Sequence, residues 1–110
     1  MGIEISEKQF EETVRKSDQL VLVYFHLPSC AKCGTWNGVA EGLVRDSGGK
    51  VQLVKLNVAE NQGLAGRLNV LGAPSFIVFR DGTEVERFVG ERVNYEDMFG
   101  YFENLTSPSD

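Results

Sequence analysis

Apolar and polar positions change period several times along this 110-residue chain. Ile3 and Ile5 alternate with polar neighbours, as in a short strand. Ser6 followed by Gln9 reads as a capping box, and Phe10 and Val14 then recur at helical spacing. A helix is predicted over residues 7–17, closing near Ser17-Asp18. The apolar run Leu20-Val21-Leu22-Val23-Tyr24-Phe25 extends to His26 and has the character of a strand buried on both faces. Beyond Cys33, the residues Trp36, Val39 or Ala40, Leu43 and Val44 keep a helical period until Ser47-Gly48-Gly49 ends it.

Residues 51–58 form a second strand, and a short helix carrying Leu64, Ala65 and Leu68 is broken by Gly72-Ala73-Pro74. Phe76-Ile77-Val78-Phe79 is a third buried strand, which Asp81-Gly82 turns into a hairpin partner over residues 84–89. Tyr95, Met98, Phe99, Phe102 and Leu105 mark a final helix, with a polar tail over 106–110. The order β-α-β-α-β-α-β-β-α predicts an α/β fold: a central mixed sheet of about five strands with helices on both faces. No repeat, linker or low-complexity segment interrupts it, so residues 1–110 are expected to form one domain.

Composition changes this picture little. The chain is 42% hydrophobic and 25% charged, with a net charge of −5. That balance carries no basic stripe for nucleic acid, and the longest apolar run is too short to cross a membrane. The N-terminus lacks a basic segment followed by an apolar one, so no secretory signal is read and the expected compartment is the cytoplasm. The start matches the loose myristoylation pattern Met-Gly-x-x-x-Ser. That match is set aside, because Ile3 and Ile5 alternate like a strand and no basic cluster supports an anchor. Nothing demands assembly, and a monomer is expected.

The chemistry concentrates at Cys30-Ala31-Lys32-Cys33, which holds both cysteines of the chain. Two intervening residues place the sulfurs about one helical turn apart, close enough for a small disulfide. The first thiol is expected at a helix N-terminus, where unpaired N–H groups and the helix dipole favour the thiolate. In a chain without a signal, such a pair reads as a redox or a metal pair before a structural staple.

Together, the strand before the cysteines, the Cys-x-x-Cys pair, Gly72-Ala73-Pro74, the Asp81-Gly82 turn and Gly90 resemble the thioredoxin family in order and spacing. The likeness covers nearly the whole chain, and it implies a thioredoxin fold and thiol–disulfide exchange. Three departures fall at the chemistry. Ala31-Lys32 replaces the family's Gly-Pro, Ser29 and His26 replace aromatic residues, and Tyr24 stands where the family has a buried Asp. The lysine that neighbours that carboxylate is kept as Lys55.

On this resemblance Cys30 is the nucleophile that forms a mixed disulfide with substrate, and Cys33 resolves it. Pro74 matches the family's cis-proline facing the disulfide, and with Ala73, Ser29 and Gly90 it is expected to bind substrate by edge pairing. Lys32 either favours the Cys30 thiolate or is a solvated side chain; both readings stand. Tyr24, with an ordinary phenol pKa near about 10, is a poor base at neutral pH, so resolution is expected to be slow or to take its base from elsewhere. Lys55, deprived of its carboxylate, is expected to bond the Tyr24 hydroxyl. His26 tunes Cys30, relays a proton, or fills the space of the family's Trp; the last is preferred. Trp36, Phe76, Phe79 and the aromatic set at 95–102 are expected in the core, and Glu84, Glu86 and Glu91 on an acidic surface.

The leading expectation is a protein-disulfide oxidoreductase with no bound cofactor beyond the Cys30–Cys33 redox pair. Its partners would be protein disulfides and a thioredoxin reductase or other dithiol donor. Two alternatives remain at this point. One is a metal-binding module built on His26, Cys30 and Cys33, and the other a low-turnover binding partner that keeps the fold.

Overall fold

A computed structural model describes residues 2–90 and 93–105, together with the backbone of Thr106. Of the polar tail expected over 106–110, Thr106 instead closes the last helix, and residues 107–110, like Glu91, lie outside the described residues. Five strands form one sheet in the order β1-β3-β2-β4-β5: β1 Ile3–Glu4, β2 Leu20–His26, β3 Val51–Asn57, β4 Ser75–Arg80 and β5 Thr83–Val89. β1 and β2 run parallel to β3, while β4 is antiparallel to both β2 and β5. The helices are α1 Glu7–Phe10, α2 Cys33–Arg45, α3 Gln62–Arg67 and α4 Tyr95–Thr106. This is the mixed sheet anticipated from the alternation of strand and helix patterns.

The central strand β2 alternates its side chains between two cores, as the two-residue strand period requires. Val21, Val23 and Phe25 pack in one cluster with Phe10 and Val14, and with Leu64, Ala65 and Leu68 of the α3 region. Leu22 and Tyr24 face the other cluster, with Cys33, Ala40, Leu43 and Val44 of α2 and Met98 and Phe102 of α4. Register then assembles a row across the sheet. Tyr24 pairs with Lys55, Lys55 with Glu4, and Tyr24 with Phe76 on its other side. Paired residues share a face, so Glu4, Lys55, Tyr24 and Phe76 lie under α2, and His26 joins them two residues along β2.

Local details depart from the pattern in instructive places. The helix read over 7–17 begins with the anticipated capping box, in which Gln9 Oε1 accepts the Ser6 N–H at 3.0 Å. It is α-helical only to Phe10 and continues as a π-helical turn, Glu11–Arg15. A 3₁₀ turn, Val58–Glu60, separates β3 from α3. Asp81 and Gly82, with φ of 51° and 79°, make the tight hairpin turn that Asp-Gly favours. In α4 the core side is Met98 and Phe102, whereas Tyr95 and Phe99 are exposed and stack on each other at 5.6 Å. Their placement corrects the expectation that the whole aromatic set is core: one stripe of the helix suffices to cover the sheet. Glu84 is not simply solvated, since it holds Arg87 at 2.6 Å.

Candidate active site

β2 delivers its chain to the upper edge of the sheet, where Leu27-Pro28-Ser29 turns it towards α2. The Cys30 N–H donates to the Leu27 carbonyl at 3.1 Å, and the Cys33 N–H donates to the Cys30 carbonyl at 3.3 Å. These are turn bonds spanning three residues. Helical bonding is established where the Trp36 N–H meets the Lys32 carbonyl at 3.1 Å. The helix therefore opens at Cys33 with Lys32 as its N-cap, and Cys30 stands ahead of the helix instead of within its first turn. The N-terminal end of α2 nonetheless points at the pair, so its dipole still favours a thiolate there.

Cys30 and Cys33 form a disulfide with their Cα atoms 5.3 Å apart. Their environments are unequal: Cys33 is 6% exposed within the α2 core, whereas Cys30 is only half-buried at the surface. An incoming disulfide can reach Cys30, while Cys33 waits behind it.

Cys30 opens onto a groove of about 340 Å³ lined by Leu27, Ala31, Lys32, Ala73, Pro74 and Gly90. Three segments meet here. The Ala73–Pro74 peptide is cis, the Ser75 hydroxyl donates to the Gly72 carbonyl at 2.8 Å, and the Gly90 N–H donates to the Pro74 carbonyl at 2.9 Å. Of the residues expected to bind substrate, Ala73, Pro74 and Gly90 line the groove beside Cys30. Ser29 is exposed on the preceding turn and is not among the lining residues. Leu27 lines the groove although its sequence does not single it out; its apolar character blends into the run before it, and only the turn at Pro28 distinguishes it. Lys32 is exposed and is one of the lining residues.

Tyr24 lies directly under α2. Its hydroxyl donates to the Cys33 carbonyl at 2.6 Å, and its ring stacks on Phe76 with centroids 4.8 Å apart. Burial pushes its pKa up to about 12, because a phenolate has no solvation there. Trp36 meets Phe76 edge-on at 5.9 Å and completes this aromatic layer as packing. Lys55 does not bond Tyr24 as expected. Its ammonium pairs with Glu41 Oε2 of α2 at 2.7 Å, while the Tyr24 hydroxyl is taken by the Cys33 carbonyl. The physical reason is that a cation gains more from a carboxylate than from a neutral hydroxyl. That pairing holds the Glu41 carboxyl below its ordinary range, first through the hydrogen bond and then through charge. Glu41 escapes a reading of the sequence because its approach to Lys55 follows from how α2 lies on β3.

A second cavity, of about 290 Å³, lies behind the disulfide and is lined by Glu4, Tyr24, His26, Cys33, Gly34, Asn37 and Lys55. His26 Nε2 sits 3.0 Å from both carboxylate oxygens of Glu4. The side chain is 23% exposed and carries a specific partner in Glu4. Among the described residues, no group of three or more His, Cys, Asp or Glu side chains is placed to hold a metal ion. Nor is any described helix long and apolar enough to cross a membrane.

Comparison with known proteins agrees with this geometry. The family pattern described as Thioredoxin matches residues 2–100. A thioredoxin of Chlorobaculum thiosulfatiphilum is 34% identical over 87 residues, which is 79% of this chain and 81% of that protein. The thioredoxin of Bacillus subtilis is 39% identical over 74 residues, 67% of this chain and 71% of its own. Among solved structures, a single-site mutant of a thioredoxin from Halobacterium salinarum superposes with a TM-score of 0.83 at 26% identity, over 99% of this chain and 94% of that one.

Proposed function

Since the chain belongs to the thioredoxin family, we propose that Cys30 is the attacking thiol of its disulfide chemistry and Cys33 the resolving one. The protein is a thiol–disulfide oxidoreductase. The observation that supports this assignment of roles is the unequal exposure of the bonded pair, with Cys30 at a groove and Cys33 in the core.

The Cys30 thiolate attacks one sulfur of a substrate disulfide, forming a mixed disulfide and releasing the other substrate sulfur as a thiolate. Cys33, once deprotonated, attacks the Cys30 sulfur. The Cys30–Cys33 bond forms, the bond from Cys30 to substrate breaks, and two electrons have passed to the substrate. Lys32 and the N-terminal end of α2 lower the cost of the first thiolate.

The substrate is a protein disulfide presented on an extended segment. Ala73, which lines the groove beside the cis bond, offers its backbone for edge pairing, with Pro74 and Gly90 shaping the approach. Electrons reside in the dithiol itself, so no further cofactor is required, and a thioredoxin reductase or other dithiol donor restores it. The protein acts as a single-domain monomer in a reducing compartment such as the cytoplasm.

Trapping tests the assignment. Cys33→Ser should accumulate a stable mixed disulfide with a protein disulfide substrate such as insulin, visible as a reducible adduct. Cys30→Ser should give none. Adducts of equal yield from both variants would overturn the order of the two thiols.

A further inference from the structure

We propose that the Glu4–His26 pair supplies the base that deprotonates Cys33 across the cavity behind the disulfide. The inference rests on the assignment of Cys33 as the resolving thiol.

Cys33 is buried, and a buried thiol needs a neighbour to accept its proton before it can attack. Among the described residues, the groups that share its cavity are few. Tyr24 is neutral and donates its only hydroxyl hydrogen to the Cys33 carbonyl. Lys55 is a cation with no lone pair to offer, and it is bound to Glu41 from α2. Asn37 and Gly34 do not titrate. Glu4 from β1 and His26 from β2 remain, on the wall of the same cavity.

Their mutual geometry fixes what they can do. Both oxygens of Glu4 lie 3.0 Å from His26 Nε2, so that nitrogen carries the hydrogen and Nδ1 keeps its lone pair. Glu4 thus acts as a positioning residue: it holds the tautomer and the ring plane, and it stabilises the imidazolium that forms. In the resolving step the proton leaves Cys33 Sγ and passes through solvent in the cavity to His26 Nδ1. The Cys33 thiolate attacks Cys30, the bond between Cys30 and substrate breaks, and the departing substrate thiolate takes its proton from solvent. The imidazolium, partly open to water, then returns its proton to solvent. No further oxidant or reductant is involved. The side chain that replaces the family's tryptophan thereby compensates for the tyrosine that replaces its aspartate.

The test is a stopped-flow reaction of the reduced protein with an aryl disulfide whose thiolate absorbs visible light. Attack by Cys30 releases one thiolate and resolution by Cys33 releases a second, and the ratio of the two rates cancels any change in folded fraction. In the parent protein the second release should quicken with rising pH as the imidazole becomes free to accept the Cys33 proton. His26→Gln should slow the second release at neutral pH by about a hundredfold, the lower end of what a positioned base contributes, and leave only the rise that comes from solvent deprotonating Cys33 at higher pH. Glu4→Gln should reproduce part of the loss. An unchanged profile in His26→Gln would overturn the proposal. So would a profile that vanishes in Glu41→Gln instead, which would move the base to the Lys55–Glu41 pair. A parent protein with no second release at all would overturn the roles of Cys30 and Cys33, and this inference with them.

Discussion

Replacing Tyr24 by phenylalanine should damage stability while sparing the chemistry. The change keeps the ring stacked 4.8 Å from Phe76 and removes the hydroxyl that bonds the Cys33 carbonyl at 2.6 Å. One buried hydrogen bond contributes about 1 kcal/mol, which in a domain of this size lowers the melting temperature by about 4–8 °C. The pH dependence makes the expectation sharper. The folded state holds Tyr24 neutral up to a pKa of about 12, against 10.0 for a free phenol, so between those values the folded chain binds more protons than the unfolded one. The stabilisation is therefore fully present below pH 10 and is lost as pH rises towards 12. By pH 11 roughly 1 kcal/mol of it is gone, comparable to the hydrogen bond itself, so the gap between the two proteins should close. Urea titrations of the parent and Tyr24→Phe from pH 7 to 11 read this difference directly, and the other tyrosines and lysines cancel in it. The second thiolate release should keep its rate and its pH profile at neutral pH. A resolving step slowed tenfold in Tyr24→Phe, at undiminished stability, would refute the view that this residue braces α2 and is not a base.

Other consequences are simpler to state. Gly82 has φ of 79°, and a Cβ there would run into the Arg15 carbonyl, so Gly82→Ala should cost at least about 1–2 kcal/mol in chemical denaturation; an unshifted midpoint would mean that the hairpin can move away from the π-helical turn. Glu41 has its carboxyl held low by Lys55, so the pair stabilises the fold above the ordinary carboxylate range and the benefit fades as pH falls through the lowered value. Glu41→Gln should therefore melt lower than the parent at pH 7 and converge with it in acid. A gap that persists in acid would assign the loss to packing.

Much of the fold is legible because its strands are plain in the sequence. The continuous run of β2, the Asp81-Gly82 turn and the break at Gly72-Ala73-Pro74 each follow from local chemistry, and the two cysteines announce themselves by position. Relations across strands and layers are a different matter. The capping box at Ser6 is visible in the chain, but the switch to a π-helical turn after Phe10 is not. The helix N-terminus expected at the first thiol falls three residues later, at Cys33, because the turn at Cys30 is closed by bonds that span three residues instead of four. Lys55 finds a partner that spacing does not suggest, since Glu41 reaches it only through the packing of α2 on β3. Glu4 draws no attention in the sequence for the same reason: it meets His26 only because β1 joins the sheet edge beside β3, which lies next to β2. The exposure of Tyr95 and Phe99 shows that helical periodicity identifies a face without fixing how wide a stripe the sheet will cover.

The most direct measurement of the central claim is redox equilibration of the protein against graded dithiothreitol or glutathione buffers, with free thiols counted by alkylation. Thiol–disulfide exchange through Cys30 and Cys33 predicts one reversible two-electron couple, within the span of roughly −270 to −120 mV that thioredoxin and related thiol–disulfide exchangers occupy. Cys30→Ser and Cys33→Ser should each abolish it. The absence of a reversible couple in the parent protein, or its survival in either variant, would contradict the account.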